Sequence, residues 1–187
     1  LLPAILALAE AAKVSGKQVL EAYLIGFEVE IKLLSSFGVN AQIRGWHNTG
    51  IVGAIGATVA AAKILQLNPE QIIRALGIAA SEASGMKQNF GTMTKPLHAG
   101  LASRNGVMAA MLAKKGFTAN EAVLEDPVGY CAVFAGQDNY DVQKITERLG
   151  NPFSIVKPPG VLSLKPYPSC GETHCCLDAI LYLKREH

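Results

Sequence analysis

From residue 1 to about 150 the apolar side chains recur at steps of three and four, which is the period of a helix with one buried face. Ile5, Leu8 and Ala12 trace one such stripe, and Val19, Tyr23, Leu24, Phe27, Ile31 and Leu34 trace a second. Gly16 and Gly38 punctuate these two helices, because glycine tolerates the left-handed conformation that ends them. A third, rich in Ala and Gly, runs from about Thr49 to Leu67. Asn68-Pro69 closes it and opens a fourth, with Pro69 in the first turn where a missing N–H costs nothing. A fifth opens near Pro96 and reaches Lys115, and short helices are expected over 119–124 and 142–149. The pattern predicts an all-α helical bundle over residues 1–150.

After Gly150 the character changes. Residues 151–170 hold five prolines, too many for a helix interior, and short extended pieces are expected at 153–156 and 161–164. The helical pattern resumes after Gly171. Residues 151–187 therefore read as a connector and the start of a second, smaller α/β domain. Leu1 and the helical pattern that runs to His187 suggest a piece of a longer polypeptide.

Composition removes several classes of function. Half the residues are hydrophobic and 17% are charged, which excludes intrinsic disorder. With 17 basic and 15 acidic residues and no block of like charge, nothing marks a nucleic-acid surface. The apolar run 51–67 is interrupted by Lys63 and is mostly Ala and Gly, so it reads as a buried helix and not as a membrane span. Its glycines at 50, 53 and 56 step by three, lack a preceding strand, and so do not form a dinucleotide fingerprint. They are expected at a close helix–helix contact. Cys131, Cys170, Cys175 and Cys176 do not make a disulfide framework, and with His174 they offer no second ligand pair for zinc. We therefore expect no metal and a reducing, cytoplasmic compartment.

Three segments gather the reactive residues: GWHNTG at 45–50, MTKPLHAG at 93–100 and LKPYPSCGETH at 164–174. His47 precedes a helix capped by Asn48 or Thr49, and Thr94 is the expected cap of another, with Lys95 beside it and His98 in its first turn. A helix N-terminus attracts anions, and a lysine there breaks the local electrostatic rule. Such a break marks a site. Lys165 stands beside two prolines that fix its direction. Together these positions suit a pocket for carboxylates.

The same segments, extended as GWHNTGIVGAIGATVAAAKILQL, TKPLHAGLASRNGVMAAMLA and KPYPSCGETHCCLDAI, resemble the MmgE/PrpD family over essentially the whole chain. That family's activities include 2-methylcitrate dehydration, cis-aconitate decarboxylation and iminodisuccinate epimerisation. The resemblance implies an all-α domain and a smaller α/β domain with the active site between them. It also implies a homodimer and chemistry without a cofactor. By motif, His47, Lys95 and Lys165 match the family's active-site residues, and His98, Tyr167 and Cys170 fall in the substrate-binding positions. Cys170 departs from the histidine that some decarboxylase-type members carry. The family's remaining active-site segments would lie before Leu1 and after His187. The expected function is a lyase acting on a small di- or tricarboxylic acid. The alternatives are an epimerase on the same site and a non-catalytic helical dimerisation scaffold.

Overall fold

A computed structural model describes residues 1–156, 162 and 164–187. It divides into two units, Leu1–Val156 and Lys157–His187. The first is all-α, and no strand occurs among the described residues of either.

Helix α1 (Leu2–Ala12) ends on Lys13 in the left-handed conformation. Ser15 then caps α2 (Gly16–Phe37) in a reciprocal box: its hydroxyl accepts from the Gln18 N–H, and the Gln18 side chain accepts from the Ser15 N–H. Gly16 is thus the first residue of α2 and not the terminator of α1. Gly38, at positive φ, does end α2 as expected. After α3 (Asn40–Ile43) comes α4 (Asn48–Leu65). A second capping box, Asn68 with Gln71, opens α5 (Pro69–Glu82), with Pro69 at its first position. Then follow α6 (Thr94–Lys114), α7 (Tyr130–Ala135) and α8 (Gln143–Thr146).

Helix α4 is the centre of the bundle, packed by α1, α2, α5 and α6. It is long and apolar enough to cross a bilayer, but most of it is buried by these neighbours. Ile51 and Ile55 meet Leu33 and Phe37 in the core, each fully buried side chain contributing about 1.5–3 kcal/mol. Small residues set the helix spacing. A Cβ on Gly26 of α2 would stand 2.8 Å from the Gly56 carbonyl oxygen, and one on Gly106 of α6 would stand 2.5 Å from Ala57 Cβ. Gly53 and Gly56 face α2 and α6 as the three-residue step implies, whereas Gly50 faces the backbone of Ser84, beyond the end of α5.

Two local expectations fail, and a third lies outside the described residues. Residues 119–124 form turns, because the Asn120 side chain accepts from the Ala122 N–H and competes with the helix ladder. The helix of that region is α7, six residues that are buried almost throughout. Residues 154–156 make a 3₁₀ turn instead of an extended piece, while the piece expected at 161–164 includes residues 161 and 163, outside the described residues.

That 3₁₀ turn is held by a buried carboxylate. Glu28 of α2, 2% exposed, accepts from the backbone N–H groups of Gly150 (3.2 Å) and Ser154 (2.6 Å). Lys32, one turn along, pairs with it at 3.9 Å and donates to the Glu147 carbonyl. Burial alone would raise the Glu28 carboxyl, but the two backbone donors and Lys32 hold it below its ordinary range.

The second unit carries a 3₁₀ turn, Gly171–Thr173, that runs into α9 (His174–Glu186).

Candidate active site

The GWHNTG segment is held as a short backbone pair. Trp46 forms an antiparallel bridge with Met86, fixed by His47 N–H to Gly85 C=O at 2.9 Å and Lys87 N–H to Gly45 C=O at 2.7 Å. Gly85 sits at φ 133°, where a side chain is strained, and a Cβ there would come 3.3 Å from the His98 ring. The bridge thus sets His47 at the N-cap of α4 and brings the loop 84–93 across it.

His47 and His98 meet through their Nδ1 atoms at 2.9 Å. Such a bond needs one N–H and one lone pair, so the pair accommodates at most one positive charge without breaking. His98, 5% exposed, lies on the second turn of α6 and not on its first, because α6 begins at Thr94. Thr94 is not the cap. Its N–H donates to Thr92 Oγ1 at 3.2 Å, and Thr92 in turn donates to the Asn89 carbonyl at 2.8 Å. Neither Asn48 nor Thr49 caps α4, since both lie inside it.

Lys95, the second residue of α6, stands where a cation opposes the helix dipole. It has no carboxylate partner among the described residues. Its Nζ lies 4.4 Å from the centre of the Phe90 ring, whose edge-to-face partner at 4.7 Å is His47. A cation over a ring gains about 0.5–1 kcal/mol, which offsets the dipole penalty. Phe90 therefore ties the two reactive groups together, a role no sequence motif announced. Burial first, then His98 and then Lys95 lower the His47 pKa, so its ring is neutral at pH 7. A neutral imidazole beside an unpaired ammonium at two helix N-termini can move a proton while a carboxylate is held.

Sequence reasoning also missed Glu30. It lies across Gly56 of α4 and lines a cavity of about 240 Å³ with Asn48, Thr49, Gly53, Ala99 and Ala102. Burial pushes its carboxyl up to about 7. The Asn48 Oδ1 atom, on the same cavity, is buried without a partner.

Lys165, Tyr167 and Cys170 belong to the second unit. Lys165 Nζ donates to the Ser169 carbonyl at 3.4 Å, and the Tyr167 hydroxyl donates to Asp178. The Tyr167 ring packs edge-on against His174 at 5.2 Å. Cys170, Cys175 and Cys176 are exposed thiols, and no group of three or more His, Cys, Asp or Glu among the described residues is arranged to hold a metal.

The chain is 34% identical over 189 residues to a cis-aconitate decarboxylase of Homo sapiens, covering 98% of this chain and 38% of the relative. It is 32% identical over 198 residues to one of Aspergillus terreus, covering 100% and 40%, and 31% identical to one of Mus musculus, covering 98% and 38%. The chain thus spans about two fifths of the length of these relatives. Residues 1–143 match the MmgE/PrpD N-terminal domain, and the chain belongs to the MmgE/PrpD family.

Proposed function

We propose that the protein is a lyase for a small di- or tricarboxylic acid, and that its reaction is the decarboxylation of a substrate like cis-aconitate. The observation that carries this reading is the meeting of His47, His98 and Lys95 around Phe90. Lys95 and the free N–H groups of α6 bind a carboxylate. Loss of CO₂ breaks a carbon–carbon bond and leaves its electron pair on the substrate carbon, conjugated with a remaining carboxylate. Lys95 stabilises that charge, and His47, neutral in the free protein, takes a proton from solvent once the anionic substrate is bound and delivers it to that carbon, with His98 sharing the charge change through the Nδ1 bond. Lys165, Tyr167 and Cys170 are proposed to supply further binding and charge stabilisation from the second unit. The chemistry needs no cofactor. A helical scaffold gives no reason for an unpaired lysine and a histidine pair to share one aromatic wall.

The same proposal includes a homodimer in a reducing cytoplasmic compartment, in keeping with four free thiols. Light scattering on the full-length polypeptide reads the dimer.

The test of the reaction is product analysis of full-length protein given cis-aconitate, methylcitrate and iminodisuccinate. CO₂ release from cis-aconitate is expected. Water loss from methylcitrate, or epimerisation of iminodisuccinate, without decarboxylation would replace the proposed reaction by another on the same site. Inertness towards all three would refute the enzyme reading.

A further inference from the structure

On the outer side of the Trp46–Met86 bridge lies a cleft of about 440 Å³, lined by Arg44, Trp46, Met86, Lys87, Gln88 and Phe90. Two cations and no acid face it. Neither Arg44 nor Lys87 makes an ion pair among the described residues. In the antiparallel pairing Lys87 stands opposite Gly45 and Arg44 opposite Gln88, so no side chain of the facing segment covers Lys87. The Arg44 guanidinium rests against Gly136, where an added Cβ would come 3.2 Å from one of its nitrogens. Phe90 lines this cleft and also carries Lys95 and His47. The cleft and the histidine pair therefore share one wall.

We propose that this cleft is an outer subsite for a second carboxylate of a polycarboxylic acid, with Arg44 and Lys87 as the groups that bind it. This deepens the proposed function and rests on its substrate class. A monocarboxylate held at Lys95 leaves Arg44 and Lys87 unused, whereas an acid with two or three carboxylates engages both sets of cations. The cleft thereby selects for charge number. Arg44 offers a planar fork of donors suited to a carboxylate, and Lys87 adds a mobile point charge at the rim. Exposed cations of one sign also steer an anion towards the site.

Trp46 is the single tryptophan among the 187 residues, and its indole lines the cleft, so its emission reports occupancy. The experiment titrates the full-length polypeptide with tricarballylate, a saturated tricarboxylate, and with acetate, using Trp46→Phe to isolate the Trp46 signal. Tricarballylate is expected to perturb Trp46 emission. The double variant Arg44→Gln/Lys87→Gln should bind it about tenfold more weakly, with acetate affected much less. Arg44→Lys/Lys87→Arg should recover most of the affinity. In turnover, the loss falls on KM more than on kcat, and raising ionic strength from about 0.05 to about 0.5 M weakens wild type more than the double variant. Both side chains are exposed and make no hydrogen bond or ion pair among the described residues, so the thermal melt should move little. Equal tricarballylate affinity in wild type and double variant overturns the proposal. Absence of turnover with the tricarballylate difference intact refutes the proposed reaction and leaves the cleft standing.

Discussion

Replacing Glu30 by glutamine should stabilise the protein at alkaline pH and change little in mild acid. The reason is desolvation: the carboxyl lies between α2 and α4, and burial raises its pKa from 4.5 to about 7. In the unfolded chain it ionises near its ordinary value. Between about pH 4.5 and 7 the folded state therefore binds a proton that the unfolded state has released, and stability falls as pH rises through that window. Above about 7 the difference is constant. The rise of 2.5 units, from 4.5 to about 7, corresponds to about 3 kcal/mol at 1.36 kcal/mol per unit, an upper figure. Glutamine has nearly the same shape and no charge to bury, and its amide offers a donor in the cavity where Asn48 Oδ1 lacks one. Urea unfolding of both proteins at pH 5, 6, 7 and 8 measures the effect. The difference between them should be below about 1 kcal/mol at the lowest pH and grow to about 2–3 kcal/mol at the highest. Parallel curves for wild type and Glu30→Gln would show that this carboxyl is solvated in the fold and ionises as it does in the unfolded chain.

Four further outcomes follow from single contacts. Lys95→Met should lower kcat/KM about ten- to a hundredfold with the melt unchanged, as expected for a charge-assisted bond to substrate. The same change removes one cause of the lowered His47 pKa, so the alkaline limb of the pH–rate profile, where the proton donor is lost, should move to higher pH in steady-state assays. Gly50→Ala places a Cβ 2.1 Å from the Ser84 carbonyl oxygen, which is backbone and cannot turn aside, so thermal denaturation should report a loss of about 1–3 kcal/mol. Glu28→Gln should cost about 1–3 kcal/mol at pH 7, and because the Glu28 pKa is depressed, the wild type should surrender that advantage as pH falls through the folded value.

The helices were legible because their signals are local and repeated. A stripe at steps of three and four survives any single misplaced residue, and Pro69 marks a helix start by its own covalent geometry. Short elements lack that redundancy. Helix α7 is six residues long, under two turns, and YCAVFA is apolar on every side, so no period distinguishes it. Residues 119–124 carry an apolar pattern, but an asparagine side chain satisfies the backbone differently. The end of α6 nearest the site was misjudged for a similar reason: the polar side chain that serves it, Thr92, stands two residues before the threonine that looked like a cap.

Within the site, legibility divided by the kind of residue. His47, His98 and Lys95 stood out because each is polar among apolar neighbours, and Lys95 breaks an electrostatic rule that the helix start imposes. Phe90 could not stand out, since a loop phenylalanine has no local signature; its meaning comes from the bridge at residues 46 and 86, which folds the loop back onto His47. Glu28 and Glu30 alternate with apolar residues in FEVEI and read as the solvated side of a helix. What buries them lies far along the chain: the turn at 150–154 for Glu28, and the missing side chain of Gly56 for Glu30. One glycine step in α4 thus does two things. It brings the helices close enough to bury a carboxyl, and it leaves beside that carboxyl a polar cavity that reaches the first turn of α4, next to His47. Because burial raises the Glu30 carboxyl to about 7, below that pH it is mostly protonated and adds little negative charge beside the first turn of α4.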